Sequence, residues 1–549
     1  MEIPIRISPS LASSGRVGCV VLAFLMAVSL VLVLQGWRGE VRVLTEPDIT
    51  RLDCVSYAHP GDLFEWGTKP PISAPQIESE LAALAKITGC VRIYSTGDGQ
   101  DMVVQVAAKF GLKVILGAWL SRDPDDNRDE IERVVTLANA YPQAVRTIVL
   151  GNETLLRREM SAGELIAIVR DAKTRTRVPI TTAEIWSFWL RHPDLAQAVD
   201  LLTVHVLPYW DGEEIRNITD AMSFSVAVIG KVAAAYPGKP ILIGEIGWPS
   251  TGRARGAVAP GILEQARFAR GIAALAAEHG WAYNLIEGYD QPWKRRSEGT
   301  VGGAWGLLHA DGTPKAPLAG PISPYPDALW HGLLAALLGG IGVGLICRRC
   351  RHPHGAVVAC PTPWRAALAA PLLALLLVEQ AEFSGHAVAH WHEPPLHLMA
   401  WLASAGIAWE MLQALAIGQR TIAMSTAALF ASTLTPSYER RRDTGILFGG
   451  MLFALRFSAA CLALGQVLDP RYRDFAVILL VLPVLAPLAF RREGRLGAED
   501  YALGALLLFG AAGSLLLSGF TNTQALLWAG TLMLLALPLL LSYQGQRRR

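Results

Sequence analysis

ILIGEIGWPS, running from Ile241 to Ser250, sets one carboxylate, Glu245, at the end of an apolar run and just before Gly247, Trp248 and Pro249. A short apolar run closed by Gly and Pro reads as a buried parallel strand whose last residue emerges where the chain turns. Upstream, TIVLGNE from Thr147 to Glu153 repeats the pattern: an apolar strand, then Gly151, Asn152 and a second carboxylate, Glu153. Two strand-end carboxylates on one sheet point to one pocket.

Working outward, the stretch from Arg51 to Leu318 alternates strand candidates with helical ones. The strands are expected at Leu52–Ala58, Val91–Ser95, Lys113–Trp119, Thr147–Glu153, Pro179–Glu184, Leu201–Tyr209, Ile241–Glu245 and Ala282–Glu287. Helices are expected between them, as at Ile77–Thr88, Asn127–Tyr141, Ala162–Thr174 and Ile262–His279. Strand-helix units repeated over about 270 residues predict an α/β domain of the (β/α)8 TIM barrel class, with its active site at the C-terminal strand ends. A doubly wound sheet would want a Gly-rich phosphate turn after an early strand, and none occurs.

The remainder is too apolar for water. The chain has 549 residues, of which 17% are charged, and its mean hydropathy is +0.33. Val17–Gly36 is long enough to cross a hydrocarbon core. An uncleaved anchor is preferred to a signal peptide, because LQGWRGE lacks a small-x-small cleavage pattern. After a stiff Pro-rich linker at 319–327, seven membrane-length segments are expected within 328–543: Ala328–Ile346, Arg365–Phe383, Leu396–Ile417, Thr444–Val467, Phe475–Phe490, Tyr501–Phe520 and Gln524–Tyr543. Basic clusters at Arg348–Arg351, Arg440–Arg442, Arg491–Arg495 and Arg547–Arg549 fall on one side if Thr421–Leu434 does not span, and the positive-inside rule makes that side cytoplasmic. Residues 1–16 and the basic tail 544–549 are then cytoplasmic, and the barrel at 51–318 faces outward. The expected setting is a cytoplasmic membrane with the barrel on its outer side.

A net charge of +2 offers no long basic surface, which sets nucleic acid aside as a partner. Seven scattered cysteines do not suggest a disulfide framework, although Cys54 and Cys90 open adjacent strands and could meet. Cys347, Cys350, His352, His354 and Cys360 have a zinc-like look, but the second half of a site is missing, and incidental cysteines in a basic loop are favoured. Glu410 and Arg456 fall inside expected spans, where a charge wants a partner, and are expected to pair with each other.

Retaining glycoside hydrolysis needs a carboxylate nucleophile and a carboxylic acid donor about 5 to 5.5 Å apart. It needs no cofactor and no metal. Glu245 is read as the ionised nucleophile. Glu153 is read as the acid and then the base, with a pKa raised by the neighbouring negative charge and partial burial. Asn152 is placed to hold the sugar 2-hydroxyl. Tyr209 either orients Glu245 by a hydrogen bond or fills a gap. Tryptophans 186, 189, 210, 248, 293 and 305 are either core or sugar-stacking platforms.

LGNE and GEIGWPSTGR together resemble the signatures of glycoside hydrolase family 17, the β-1,3-glucanases and β-1,3-glucanosyltransferases. The resemblance covers Arg51 to Leu318 and extends to VRIY at Val91–Tyr94, HVLPYW at His205–Trp210 and EGYDQPWK at Glu287–Lys294. It implies the acid/base role for Glu153, the nucleophile role for Glu245, and a glucan-binding cleft lined by Tyr94, Tyr209, Trp248, Glu287 and Lys294, with Trp210 and Trp293 as weaker transfers. Plant members carry Ser and a small polar residue about the nucleophile, whereas Gly244 and Ile246 here are nearer the bacterial and fungal branches. The implied partners are β-1,3-glucan or β-1,3/1,6-glucan, membrane lipid and a separate membrane glucan synthase. The implied reaction is glucan cleavage with transfer to a glucan acceptor. Simple hydrolysis is the alternative, and a non-catalytic glucan-binding or export subunit is the reading from another class.

Overall fold

The computed structural model describes residues 9–61, 71–211, 215–350, 360–418, 421–424, 440–469, 473–488, 490–493 and 496–547. The chain divides into two compact units, Val41–Ser323 and a second composed of Met1–Glu40 with Pro324–Arg549.

The first unit is a closed parallel barrel. Its strands are β1 (Cys54–Ser56), β2 (Cys90–Ile93), β3 (Lys113–Ala118), β4 (Val145–Asn152), β5 (Ile180–Ile185), β6 (Leu202–His205), β7 (Ile241–Ile246) and β8 (Ala282–Leu285). They follow chain order around the barrel, and β1 closes on β8. Helices between the strands begin where the sequence supplies caps. Asp123 accepts from the amides of Asp125 and Asp126 ahead of Pro124–Ala140. Ser161 and Glu164 form a capping box for Ala162–Arg175. Both satisfy amides that the first helical turn leaves without partners.

Strand side chains alternate faces with period two, so the barrel interior is built in layers. Cys54, Cys90, Ile115, Val149, Ala183 and Leu242 form one buried apolar cluster, and Cys54 is disulfide-bonded to Cys90. Two residues further along their strands stand Ser56, Arg92, Gly117 and Gly244. This layer is polar or lacks side chains, and it opens toward the C-terminal strand ends. A Cβ on Gly244 would lie 2.4 Å from the Thr203 methyl and 2.9 Å from the His205 ring, so glycine there leaves the imidazole its space.

The second unit is helical: Pro9–Arg38, Ala328–Arg349, Pro363–Ala387, Glu393–Ile417, Arg440–Leu468, Ala498–Ser518 and Thr523–Arg547 are its long helices among the described residues. Eight described helices are long and apolar enough to cross a membrane. One of them, Ile218–Ala235, belongs to the barrel and buries a stripe of Ile218, Ala221, Ser225, Val228, Ile229 and Val232. The other seven leave residues such as Leu22, Met26, Val33, Leu337, Leu516 and Leu534 exposed, as lipid-facing helices do. These helices fit a membrane protein.

Three expectations change here. Phe475–Phe490 is no continuous helix but short pieces, Val477–Leu480, Val481–Leu485 and Ala486–Leu488, because Pro483 and Pro487 interrupt the hydrogen-bond ladder. It still traverses the unit. Arg473 pairs with Glu393 at the start of Glu393–Ile417, and Phe490–Glu493 runs parallel to Thr421–Met424, beyond that helix's other end. The rest of the Thr421–Leu434 segment, from 425 on, lies outside the described residues. Glu410 and Arg456 take other partners: Gln413 donates to Glu410 at 2.9 Å, and Arg456 faces Asp500 at 4.0 Å. Sequence places charges along a helix but not the neighbouring faces they meet. Finally, Cys350 is bonded to Cys360, which removes two thiolates from the zinc-like set. Cys347 remains a free thiol, and His352 and His354 lie outside the described residues.

Candidate active site

Glu153 directly follows β4 on a turn that the local sequence forces. Gly151 and Glu153 both have positive φ, 82° and 52°. A Cβ on Gly151 would lie 2.2 Å from the Thr154 hydroxyl, so only glycine fits. A left-handed non-glycine residue persists when its surroundings over-determine it. Here the Glu153 amide donates to the Ala183 carbonyl at 2.7 Å, and the Leu155 amide donates to Glu184 Oε1 at 2.7 Å. Glu245 lies in β7 opposite His205 of β6, and it is 6% exposed.

The two carboxylates converge. One oxygen of Glu153, one oxygen of Glu245 and one ring nitrogen of His205 all lie within 4.8 Å of one another. His205, fully buried, places Nδ1 3.0 Å from Glu153 and 3.6 Å from Glu245. Its Nε2 is 3.2 Å from Arg92 Nη1. Arg92, also buried, donates to the Gly244 carbonyl at 2.7 Å and to Asn152 Oδ1 at 2.6 Å, and it stands 3.6 Å from Glu245. One guanidinium thus holds the strand carrying the second carboxylate and the residue preceding the first. By donor type, Glu153, His205 and Glu245 could ligate a cation, as could His331, Glu379 and Glu382 in the helical unit. In the barrel, Arg92 already brings positive charge to that point.

Burial alone would push Glu153 up. The hydrogen bond and charge of His205, followed by Arg92 and Arg157, outweigh it and hold Glu153 below the ordinary carboxyl value. This reverses the raised value expected from sequence, because the cations reach Glu153 as well as Glu245. In the acid role expected for it from sequence Glu153 must be protonated, so that role predicts a kcat/KM that falls as pH rises through the Glu153 value, with an acidic optimum. His205→Asn removes the first of the groups that oppose burial at Glu153, and the alkaline limb of the kcat/KM profile is expected to move to higher pH. A limb that stays in place would show that His205 does not set it.

Glu184, at the end of β5, went unnoticed in the sequence. It is 1% exposed, and burial pushes it up to about 7, with Glu153 adding to the rise and the Leu155 amide and His205 opposing it. Between the ordinary carboxyl value and about 7 the folded protein holds a proton that the unfolded chain has lost, so stability falls as pH rises through that window and stays lower above it. Glu184→Gln keeps the acceptor for Leu155 and removes the titration. At pH 8 it is expected to stabilise the barrel by about 3 kcal/mol, read as a higher thermal midpoint and a flatter decline from pH 5 to 8.

The other sequence-named residues divide. Tyr94 stays beside the pair: its hydroxyl is 2.8 Å from Ser56 Oγ, Arg92 lies over its ring, and burial, with the charge of Glu245, pushes its hydroxyl well above the ordinary range. Glu287 is 2% exposed and receives Lys294 Nζ on both oxygens, at 3.0 and 2.8 Å. Burial raises Glu287, and Lys294 opposes the rise. Trp293 donates to Gln291 at 2.8 Å. Tyr209 does not orient Glu245, because its single hydroxyl proton goes to the Arg253 carbonyl at 2.7 Å. Its ring packs edge-on against Trp210, Trp248 and Trp305. Trp248 is 3% exposed and packs on Phe268, which leaves little face for a sugar. Trp189 and Trp305 are buried too, whereas Trp210 stays half-buried, stacked on Trp305.

Residues 66–306 match the family model described as the BtgE/BtgC glycoside hydrolase domain. The match lies within the barrel and supports a glycosidase-type enzyme. Its curated relatives include a protein of Arthroderma benhamiae named glucan 1,3-beta-glucosidase, 28% identical over 281 residues, which are 46% of this chain and 88% of that protein. Another, from Aspergillus niger, is named putative glucan endo-1,3-beta-glucosidase and is 26% identical over 42% of this chain and 38% of its own length. Among solved structures, a family 17 β-1,3-glucanosyltransferase of Rhizomucor miehei aligns at 20% identity over 48% of this chain and 95% of its own, with a TM-score of 0.42. An endo-laminarinase of Formosa aligns at 20% identity over 48% and 84%, with a TM-score of 0.41. The helical unit falls outside the family match.

Proposed function

We propose that this glycosidase-type enzyme cleaves β-1,3-glucan with retention of configuration and passes the glycosyl group to a second glucan. The observation that carries this reading is the approach of the Glu153 and Glu245 oxygens to within 4.8 Å. An approach under that bound lies on the side of the about 5 to 5.5 Å of retaining sites and below the about 6.5 to 9.5 Å that inverting sites leave for a water.

In the first step Glu245 attacks the anomeric carbon while Glu153 gives its proton to the glycosidic oxygen, so one C–O bond forms as another breaks and the leaving chain departs as an alcohol. Arg92, 3.6 Å from Glu245, sets a positive charge against the attacking carboxylate. In the second step Glu153, now a base, takes the proton of an incoming hydroxyl, and the ester to Glu245 is released. A glucan hydroxyl gives transfer, and water gives hydrolysis. Asn152, its Oδ1 held by Arg92, is positioned to meet the 2-hydroxyl through its amide nitrogen.

The domain division at 17–36, 51–318 and 328–543, with the barrel on the exported side of a bacterial inner membrane, suits an enzyme that remodels β-1,3-glucan or β-1,3/1,6-glucan as a separate synthase exports it. The seven long apolar helices outside the barrel and the basic loop clusters support it. The Cys350–Cys360 disulfide opposes placing that loop in a reducing cytoplasm. Incubating the full-length detergent-solubilised protein with reduced laminari-oligosaccharides and sizing the products by mass tests the reading. Longer products mean transfer, shorter ones alone mean a hydrolase, and unchanged oligosaccharides reject an enzymatic role on this substrate.

A further inference from the structure

We infer that Trp119 forms an additional glucan subsite, a stacking platform for a glucose ring remote from the scissile bond, held in register with the catalytic turn by Arg157. The inference rests on the β-glucan reading above and adds a binding residue to it.

Trp119 directly follows β3, at the same end of the barrel as Glu153. Its neighbours Ala118 and Leu120 are buried, yet the indole is 42% exposed. Single exposed apolar side chains are ordinary on protein surfaces, but this one is not left to move freely. The Arg157 guanidinium carbon lies 4.1 Å from the centre of the indole, and three contacts fix that guanidinium. Its Nε donates to the Asn152 carbonyl at 3.0 Å, Nη2 donates to the Leu120 carbonyl at 2.8 Å, and Nη1 lies 3.2 Å from Glu159. Arg157 therefore ties the residue after Trp119 to the residue before Glu153, and its charge acts on Glu153 itself. It backs one face of the ring, and Trp119 remains 42% exposed despite that contact.

A rigid aromatic face with one side supported suits a neutral ligand that has its own apolar face. The axial C–H face of a β-linked glucose is such a surface, and it loses little entropy in stacking on a ring already held still. Leu156, three residues past Glu153, is likewise exposed at 41%. Arg122, which donates to the Arg158 carbonyl at 3.1 Å and lies 3.6 Å from Glu159, adds groups able to meet hydroxyls. The inferred subsite thus has a chain of two sugars fill the positions about the scissile bond and only a longer one reach Trp119.

Calorimetric titration of the full-length Glu245→Gln protein with laminaribiose and laminarihexaose, with and without Trp119→Ala, tests the subsite. Trp119→Ala is expected to weaken the hexaose about fivefold to tenfold, leave the biose within about twofold, and be largely rescued by Trp119→Phe. An equal effect on both lengths, or none, overturns the subsite. If neither sugar binds, the subsite and the β-glucan reading fall together. If the hexaose depends on Trp119 but the native protein turns over no glucan, the subsite stands and the catalytic reading falls alone.

Discussion

Glu245→Gln is expected to lower turnover of laminari-oligosaccharides by about 10⁴-fold or more while leaving their binding within about threefold. The amide keeps the volume and the acceptor facing Arg92 but cannot form the glycosyl ester. Glu153→Gln should behave differently, and the difference separates the two roles. Without a proton donor, cleavage of a natural glucan falls by about 10² to 10⁴-fold, whereas a dinitrophenyl β-glucoside, whose leaving group needs no proton, should still glycosylate Glu245. Steady-state rates on the two substrates check this. Equal losses on both for each variant would mean that the roles are not divided in this way, and undiminished rates would remove the carboxylates from the reaction.

The second large effect is expected from Arg92. It is 1% exposed and joins Gly244, Asn152, His205 and Glu245. Removing one partner of a buried charged network leaves the other charge and the Asn152 oxygen uncompensated, the Gly244 carbonyl keeping Asn284 at 2.8 Å, which costs about 3–5 kcal/mol. Arg92→Gln should therefore lower the denaturation midpoint of the barrel as well as its activity. Arg92→Lys should restore little of either, because an ammonium lacks the planar fork that reaches the Gly244 carbonyl and Asn152 together. Recovery by lysine would show that only the charge matters. Both variants are read by tryptophan fluorescence during urea unfolding.

How far the sequence carries can be seen residue by residue. Glu245 and Glu153 were legible because a parallel strand buried on both faces is a continuous apolar run, and a carboxylate just past it must sit at the strand end. The eight strands followed from the same signal. Arg92 and His205 were not, although both lie inside quoted motifs. Whether a strand residue points into the barrel or toward the helices depends on register, and a charge in CVRI reads equally as an edge position. A charged residue in an otherwise buried strand was the available clue. Tyr209 and Trp248 show the opposite error. Aromatics after a strand look alike whether they line a cleft or close the layer beneath it, and only the Arg253 carbonyl and the packing on Phe268 separate the two. Phe475–Phe490 has the apolar length of a span, yet its two prolines divide it into short turns. The disulfides required partners that spacing alone does not choose.

The central claim is that the two carboxylates act across one glycosidic bond with retention. The configuration of the first-formed reducing end, followed by proton NMR during cleavage of a laminari-oligosaccharide by the full-length protein, tests it most directly. The account predicts that the β-anomer appears first and mutarotates to the equilibrium mixture. An α-anomer appearing first would show direct attack by water, and would contradict the assignment of Glu245 as nucleophile.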